Sequence, residues 1–286
     1  MIHDLLAVSR PLSWINTAYP FAAAYLLTAR EVDAALIVGA LFFLVPYNLA
    51  MYGINDVFDH ESDLANPRKG GVEGAVLPRS RHRSILIASA VLCVPFIAAL
   101  AAMGSPLSWL VLAVSLFAVV AYSAPPMRFK EVPGLDSATS SVHFVSPAVY
   151  GVVLADGTFT WGLVAVLCAF FLWGMASHAF GAVQDVIPDR EGGIASIATV
   201  LGAARTVRFA LVCWTAAGLL VLTTGWPGAL AAVLAVPYLL AAAPYAFVSD
   251  KDSARANRGW RKFLWINYLC GFLVTMLLIA FAAQSS

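Results

Sequence analysis

The chain has 286 residues, of which 61% are hydrophobic and only 12% charged, and its mean hydropathy is +0.82. A water-soluble domain would carry ~25% charge, so a soluble globule is excluded. The net charge of +1 says little by itself, and no nucleic-acid partner is expected.

An all-α polytopic membrane protein remains. Crossing a hydrocarbon core takes ~20 apolar residues in a helix. Nine stretches are predicted to do so: 13–29, 34–55, 84–103, 106–123, 137–154, 160–183, 205–224, 226–248 and 262–282. Their apolar runs are continuous and not alternating, which favours helices over a barrel. The whole of 1–286 reads as a single domain.

Met1–Arg10 is short, carries Asp4 and has no small-residue cleavage site, so an interfacial helix is expected in place of a signal peptide. The first span holds Asn16 and Tyr19, with Pro20 bending it. A buried asparagine there either glues helices together or lines a cavity. The second span carries Asn48 and Tyr52 on roughly the side that leads to Asp56, a polar stripe that points to a cavity open to the cytoplasm or to plain packing.

That span ends in Asn55-Asp56-Val57-Phe58-Asp59-His60-Glu61-Ser62-Asp63. Asp56, Asp59 and Asp63 stand at i, i+3 and i+7, so a helix continued through them stacks three carboxylates on one face. Such charges repel unless a cation lies between them, and Mg²⁺ suits oxygen ligands while leaving room for phosphate. A solvated acidic helix end is the plainer reading. Arg68 and Lys69 follow among glycines, a combination suited to polyphosphate, whereas Arg79, Arg81 and Arg83 fit a topology-setting basic loop equally well.

The fourth span closes with Tyr122-Ser123-Ala124-Pro125-Pro126-Met127-Arg128-Phe129-Lys130, whose prolines break the helix and present Arg128 and Lys130 in a loop. The fifth opens with Asp136, Ser137, Thr139, Ser140, Ser141 and His143. An ionisable group inside a span is a functional candidate, although His143 can equally bind a neighbouring helix. The sixth ends with Asp185 and Asp189 at i, i+4, and His178 lies two turns deeper on that face. A second acidic cluster, one half-protein after the first, strengthens the metal reading. Cys93, Cys168, Cys213 and Cys270 stand singly without a CxxC pair and read as packing residues.

With the N-terminus cytoplasmic, every Lys and Arg except Arg30 falls in an inside loop. The positive-inside rule then places the acidic motifs and basic loops at the cytoplasmic face of a cell membrane and the C-terminus outside.

Asn55-Asp56-x-x-Asp59-x-x-x-Asp63, Tyr122-Ser-x-Pro-x-Arg128-Phe-Lys130 and Asp185-x-x-x-Asp189 together resemble the UbiA superfamily of intramembrane prenyltransferases over the whole chain. The resemblance implies nine helices around a central cavity capped by cytoplasmic loops. It also implies two Mg²⁺ ions held by Asp56, Asp59, Asp63, Asp185 and Asp189. A prenyl diphosphate donor would be contacted by Asn16, Asn55, Arg68, Lys69, Tyr122, Arg128 and Lys130. The turn from Asn66, with Ser13–Pro20 and Trp173–His178, is similar to the bacterial lycopene elongases. That likeness implies a carotenoid acceptor, with C5 units added to the ends of lycopene, and a setting among membrane lipid and carotenoid-modifying enzymes. His143 or His178 is expected to face the carbocation. The alternatives are an aromatic (quinone- or chlorophyll-type) or phosphosugar acceptor, and a cation-coupled transporter. Both acidic clusters at one surface, and not at the midplane, count against transport.

Overall fold

The computed structural model describes residues 2–65 and 77–284. Among them there is no strand. Fourteen α-helices follow one another: α1 (Ile2–Ser9), α2 (Ile15–Ala29), α3 (Ala34–Leu44), α4 (Pro46–Phe58), α5 (His60–Ala65), α6 (His82–Met103), α7 (Pro106–Ser123), α8 (Leu135–Leu154), α9 (Trp161–Ala182), α10 (Val186–Glu191), α11 (Ile197–Leu201), α12 (Ala203–Leu222), α13 (Ala235–Ala242) and α14 (Asn257–Gln284). Short 3₁₀ turns join several of them.

Seven helical runs among the described residues are long and apolar enough to cross a membrane: Ala34–Phe58, Arg79–Met103, Pro106–Ser123, Trp161–Glu191, Ala203–Leu222, Gly228–Tyr245 and Asp250–Gln284. The expected count of nine spans is corrected to seven by that measure. The other two predicted spans are helical but fall short for physical reasons. α2 has 15 residues, confined by the Pro11–Ser13 turn and by Arg30 in the left-handed region (φ 61°). At 1.5 Å per residue it reaches only about 22 Å. α8 is long enough, but Asp136, Ser137, Thr139, Ser140, Ser141 and His143 in its first half dilute its apolar character.

Helix ends are set by side chains that answer orphaned amides. Asp33 caps α3 by accepting from the Leu36 amide at 2.9 Å, and the Tyr25 hydroxyl donates to its other oxygen at 2.7 Å. Ser105 with Ser108 and Ser196 with Thr199 form capping boxes for α7 and α11. Pro46 begins α4 and interrupts the second span after Val45. Asn48, fully buried two residues later, donates to the carbonyls of Phe43 (2.8 Å) and Leu44 (3.1 Å) and to the Thr17 hydroxyl (2.7 Å). The polar stripe read at Asn48 is therefore a repair of this break.

The chain divides into two compact units, Met1–Phe129 with Val142–Thr158, and Lys130–Ser141 with Phe159–Ser286. The first is built on Phe21, Phe42, Phe43, Tyr47 and Tyr150, with ring centroids 4.9–6.0 Å apart. The second is built on Phe180, Trp214, Tyr238 and Phe263. Outside these cores Ile37, Leu41, Val91, Val94, Leu110, Phe117, Leu240, Leu269 and Phe272 are exposed. Water would not tolerate so much bare hydrocarbon, and lipid does.

Gly39 shows how tightly the first unit is packed. A methyl group there would fall 2.1 Å from the ring of Phe21, which is fully buried between Phe43 and Tyr150. Gly39→Val is expected to destabilise the protein by ~1–3 kcal/mol, the usual cost of overpacking. A thermal unfolding midpoint in detergent equal to that of the wild type would contradict this.

Candidate functional site

In the first unit, α4 delivers the acidic run. Asp56 lies in its last turns, Asp59 follows its end, and α5 carries Asp63. The helical course is nearly continuous, since the Asp59 amide donates to the Asn55 carbonyl (2.9 Å) and the Asp63 amide to that of Asp59 (2.8 Å). All three carboxylates are buried, while Phe58 and Glu61 between them and Leu64 just after them are exposed. A solvated acidic helix end is thereby excluded, because water does not reach the charges it would solvate. Exposed Glu61 belongs elsewhere: Arg79 pairs with it and holds its carboxyl below the usual carboxylate range.

Burying three carboxylates is costly unless positive charge or donors answer them. Asn55 donates through Nδ2 to Asp59 (2.8 Å) and to the Ser123 hydroxyl (3.0 Å) at the end of α7. Arg10, just before the first span, places Nη2 2.6 Å from an Asp56 oxygen. Among the described residues no three His, Cys, Asp or Glu side chains are gathered closely enough to hold a metal ion as they stand. The donor chemistry nevertheless fits one, because hard, buried carboxylates already accept a cation in the form of the Arg10 guanidinium.

The Tyr122–Arg128 stretch meets this run. Arg128, held in the left-handed region (φ 40°), directs Nη1 toward the carbonyls of Phe58 (3.4 Å) and Ser123 (3.5 Å). Tyr122 lies edge-on to the buried His143 ring, with centroids 5.3 Å apart. The first motif, the Tyr122–Phe129 part of the second and His143 thus share one unit, whereas Lys130 belongs to the other. Asn16 is exposed at the start of α2, and its neighbour Thr17 makes the buried contacts. Arg68 and Lys69 lie outside the described residues.

The second unit carries Lys130, Asp185, Asp189 and His178. Asp185 precedes α10 and Asp189 sits in its first turn, both half-buried. Their turn is braced on both sides. Gln184 donates to the Gly181 carbonyl (2.9 Å) and accepts from Asn257 (2.5 Å). Arg190 donates to the Thr199 carbonyl and, at 2.6 Å, to Asp250.

Asp136, also in this unit, is fully buried. Its carboxylate accepts backbone amides from Gly134 (2.9 Å), Ser137 (2.7 Å) and Ile197 (2.7 Å), and His178 Nε2 lies 3.9 Å away. Sequence reading singled out Asp136 for its polarity but not for this role. It missed Arg10 as well, since a basic residue beside a span reads as a topology signal.

The UbiA prenyltransferase family model matches residues 17–269, a range that includes both acidic motifs and the loops between them. The chain belongs to the UbiA prenyltransferase family. Within or beside that family, the chain is 57% identical over 280 residues to the C(50) beta-cyclic carotenoids biosynthesis protein LbtBC of Dietzia sp. (strain CQ4). That alignment covers 98% of this chain and 65% of the relative, so the chain spans about two thirds of LbtBC. It is 50% identical over 279 residues to a lycopene elongase/hydratase of Corynebacterium glutamicum, covering 98% of this chain and 97% of that one. A solved UbiA homolog from Archaeoglobus fulgidus, bound to DMAPP and Mg²⁺, matches with a TM-score of 0.66 at 17% identity, over 93% of this chain and 98% of that one. The apo UbiA homolog from Aeropyrum pernix K1 gives 0.67 at 20% identity, over 93% and 99%. At such identities the likeness establishes the UbiA fold.

Proposed function

We propose that this UbiA-family chain transfers a C5 prenyl group from dimethylallyl diphosphate to the ends of lycopene in the synthesis of C50 carotenoids, releasing diphosphate. The observation that carries this reading is the 50% identity, over 97% of its length, to a relative named lycopene elongase/hydratase. The buried acidic run, with a cation already on Asp56, supports the diphosphate chemistry.

Asp56, Asp59, Asp63, Asp185 and Asp189 would hold two Mg²⁺ ions, whose charge offsets that of the departing diphosphate. Arg68, Lys69, Arg128 and Lys130 neutralise its remaining oxygens, with Asn16, Asn55 and Tyr122 as donors. As the C–O bond breaks, its electron pair leaves with diphosphate and the allylic cation is taken by a terminal double bond of lycopene. The new tertiary cation loses a proton, or takes up water and then loses one. His143 and His178 are assigned to that end, as proton acceptors or as neutral rings facing the cation. An apolar surround keeps water from the first cation until the alkene has reacted. The active-site loops and N-terminus face the cytoplasm in this reading, and the C-terminus lies outside.

Expression in a lycopene-accumulating host, followed by mass analysis of the pigments, tests the assignment. Products heavier by one and two C5 units are expected. Unchanged lycopene, with the protein in the membrane and donor present, would overturn it. A prenylated quinone or phosphosugar in its place would redirect the acceptor while sparing the transferase chemistry.

A further inference from the structure

We propose that Arg10 is the resident counter-cation of the first acidic motif. It holds Asp56 until a divalent ion takes that oxygen, and then turns its freed donors to the diphosphate. The proposal rests on the metal reading of Asp56.

Four observations converge on this arginine. Its Nη2 lies 2.6 Å from Asp56 Oδ1, and the two side chains are only 17% and 3% exposed, so the pair is not a solvated surface contact. Its guanidinium carbon lies 4.2 Å from the ring centre of Tyr52, one helical turn before Asp56 on α4, a cation–π contact that helps to hold it. Its backbone occupies the left-handed region (φ 51°, ψ 74°), which a residue with a long side chain adopts only when its surroundings hold it there. Its Nε is buried without a hydrogen-bond partner among the described residues.

The last observation separates a working cation from a structural one. Guanidinium offers five donors in a planar fork suited to two oxygens at once. Asp56 takes Nη2, while buried Nε is left unanswered, a costly state for a purely structural residue. A phosphate oxygen pair would satisfy Nε and the displaced Nη2 together. The exchange conserves charge balance throughout: the carboxylate keeps a cation before and after the metal arrives, and the guanidinium passes from one anion to another. Because Arg10 directly follows α1, the exchange also ties that helix to the state of the site.

The test uses the full-length protein in detergent and calorimetric binding, first of Mg²⁺ alone and then of inorganic pyrophosphate with Mg²⁺ present. In Arg10→Gln, Mg²⁺ alone should bind about tenfold tighter, because no charge-assisted bond has to be broken first, and pyrophosphate about tenfold more weakly. A merely structural role would weaken both. Arg10→Lys keeps the charge without the fork, so it should bind Mg²⁺ like the wild type and pyrophosphate more weakly. If Arg10→Gln does not fold, Tyr52→Leu removes the ring that seats the guanidinium and should shift both affinities in the same directions. Unchanged or weaker Mg²⁺ binding in Arg10→Gln, or in Tyr52→Leu where that variant stands in for it, overturns the proposal. Asp56→Asn separates the two claims. Wild-type Mg²⁺ binding in that variant removes the metal reading itself, whereas lost binding there, with no tightening in Arg10→Gln, removes only the role of Arg10.

Discussion

Asp56→Asn and Asp185→Asn are each expected to lower prenyl transfer by more than ~10²-fold, since loss of a direct metal ligand should exceed the ~10–100-fold typical of outer partners. Asparagine keeps the size and one acceptor of the carboxylate but removes the charge that a hard cation needs. The two variants should differ in stability. Asp56 is buried against Arg10 at 2.6 Å, so its replacement strands a guanidinium and lowers the unfolding temperature as well. Asp185 is half-buried at the head of a short helix, so its replacement should cost less stability than that of buried Asp56. Asp185→Asn is therefore the cleaner probe. Diphosphate release measured against Mg²⁺ concentration is the readout, and a wild-type rate at ordinary Mg²⁺ in either variant would overturn the assignment.

Asp136→Ala is expected to be among the most destabilising single changes in the chain, at ~3–5 kcal/mol, the range for breaking a buried charged contact. The reason is the number of groups that depend on one side chain. The amides of Gly134, Ser137 and Ile197 all point at this carboxylate, which is wholly buried. Each would be left without an acceptor where water does not reach. The Ile197 amide lies at the start of α11, 61 residues further along the chain, so the loss would also release the head of that helix. Asp136→Asn should be intermediate, because one oxygen remains while an amide group replaces the other and faces a donor. Thermal unfolding in detergent checks both variants, and a midpoint for Asp136→Ala within 2 °C of wild type, roughly the effect of 1 kcal/mol or less, would contradict the expectation.

What could be read from the sequence was whatever is local. Long apolar runs declare spans, and carboxylates at i, i+3 and i+7 declare a common face, because both follow from helix geometry alone. Burial of Asp56, Asp59 and Asp63 then counts against a wet helix end. The unread features were set by distance along the chain. Arg10 meets Asp56 across 46 residues, and nothing in the spacing announces it. Asn48 lay on the expected polar side but answers a backbone break that Pro46 creates, a purpose that hydropathy cannot separate from cavity lining. α2 and α8 failed the span criterion through a tight turn at one end and a polar first half, respectively, and only the second was visible in composition.

The join of α3 and α4 also constrains how the sequence can drift. Asn48 serves the Phe43 and Leu44 carbonyls and the Thr17 hydroxyl at once, and Thr17 in turn donates to Phe43. Both side chains answer the Phe43 carbonyl and bond each other, so the effects of replacements at positions 17 and 48 should be coupled and not additive. In descendants of this chain, Thr17, Pro46 and Asn48 should persist together or be exchanged together for an unbroken helix. That inherited trio would mark which lineages still bend the second span at this point.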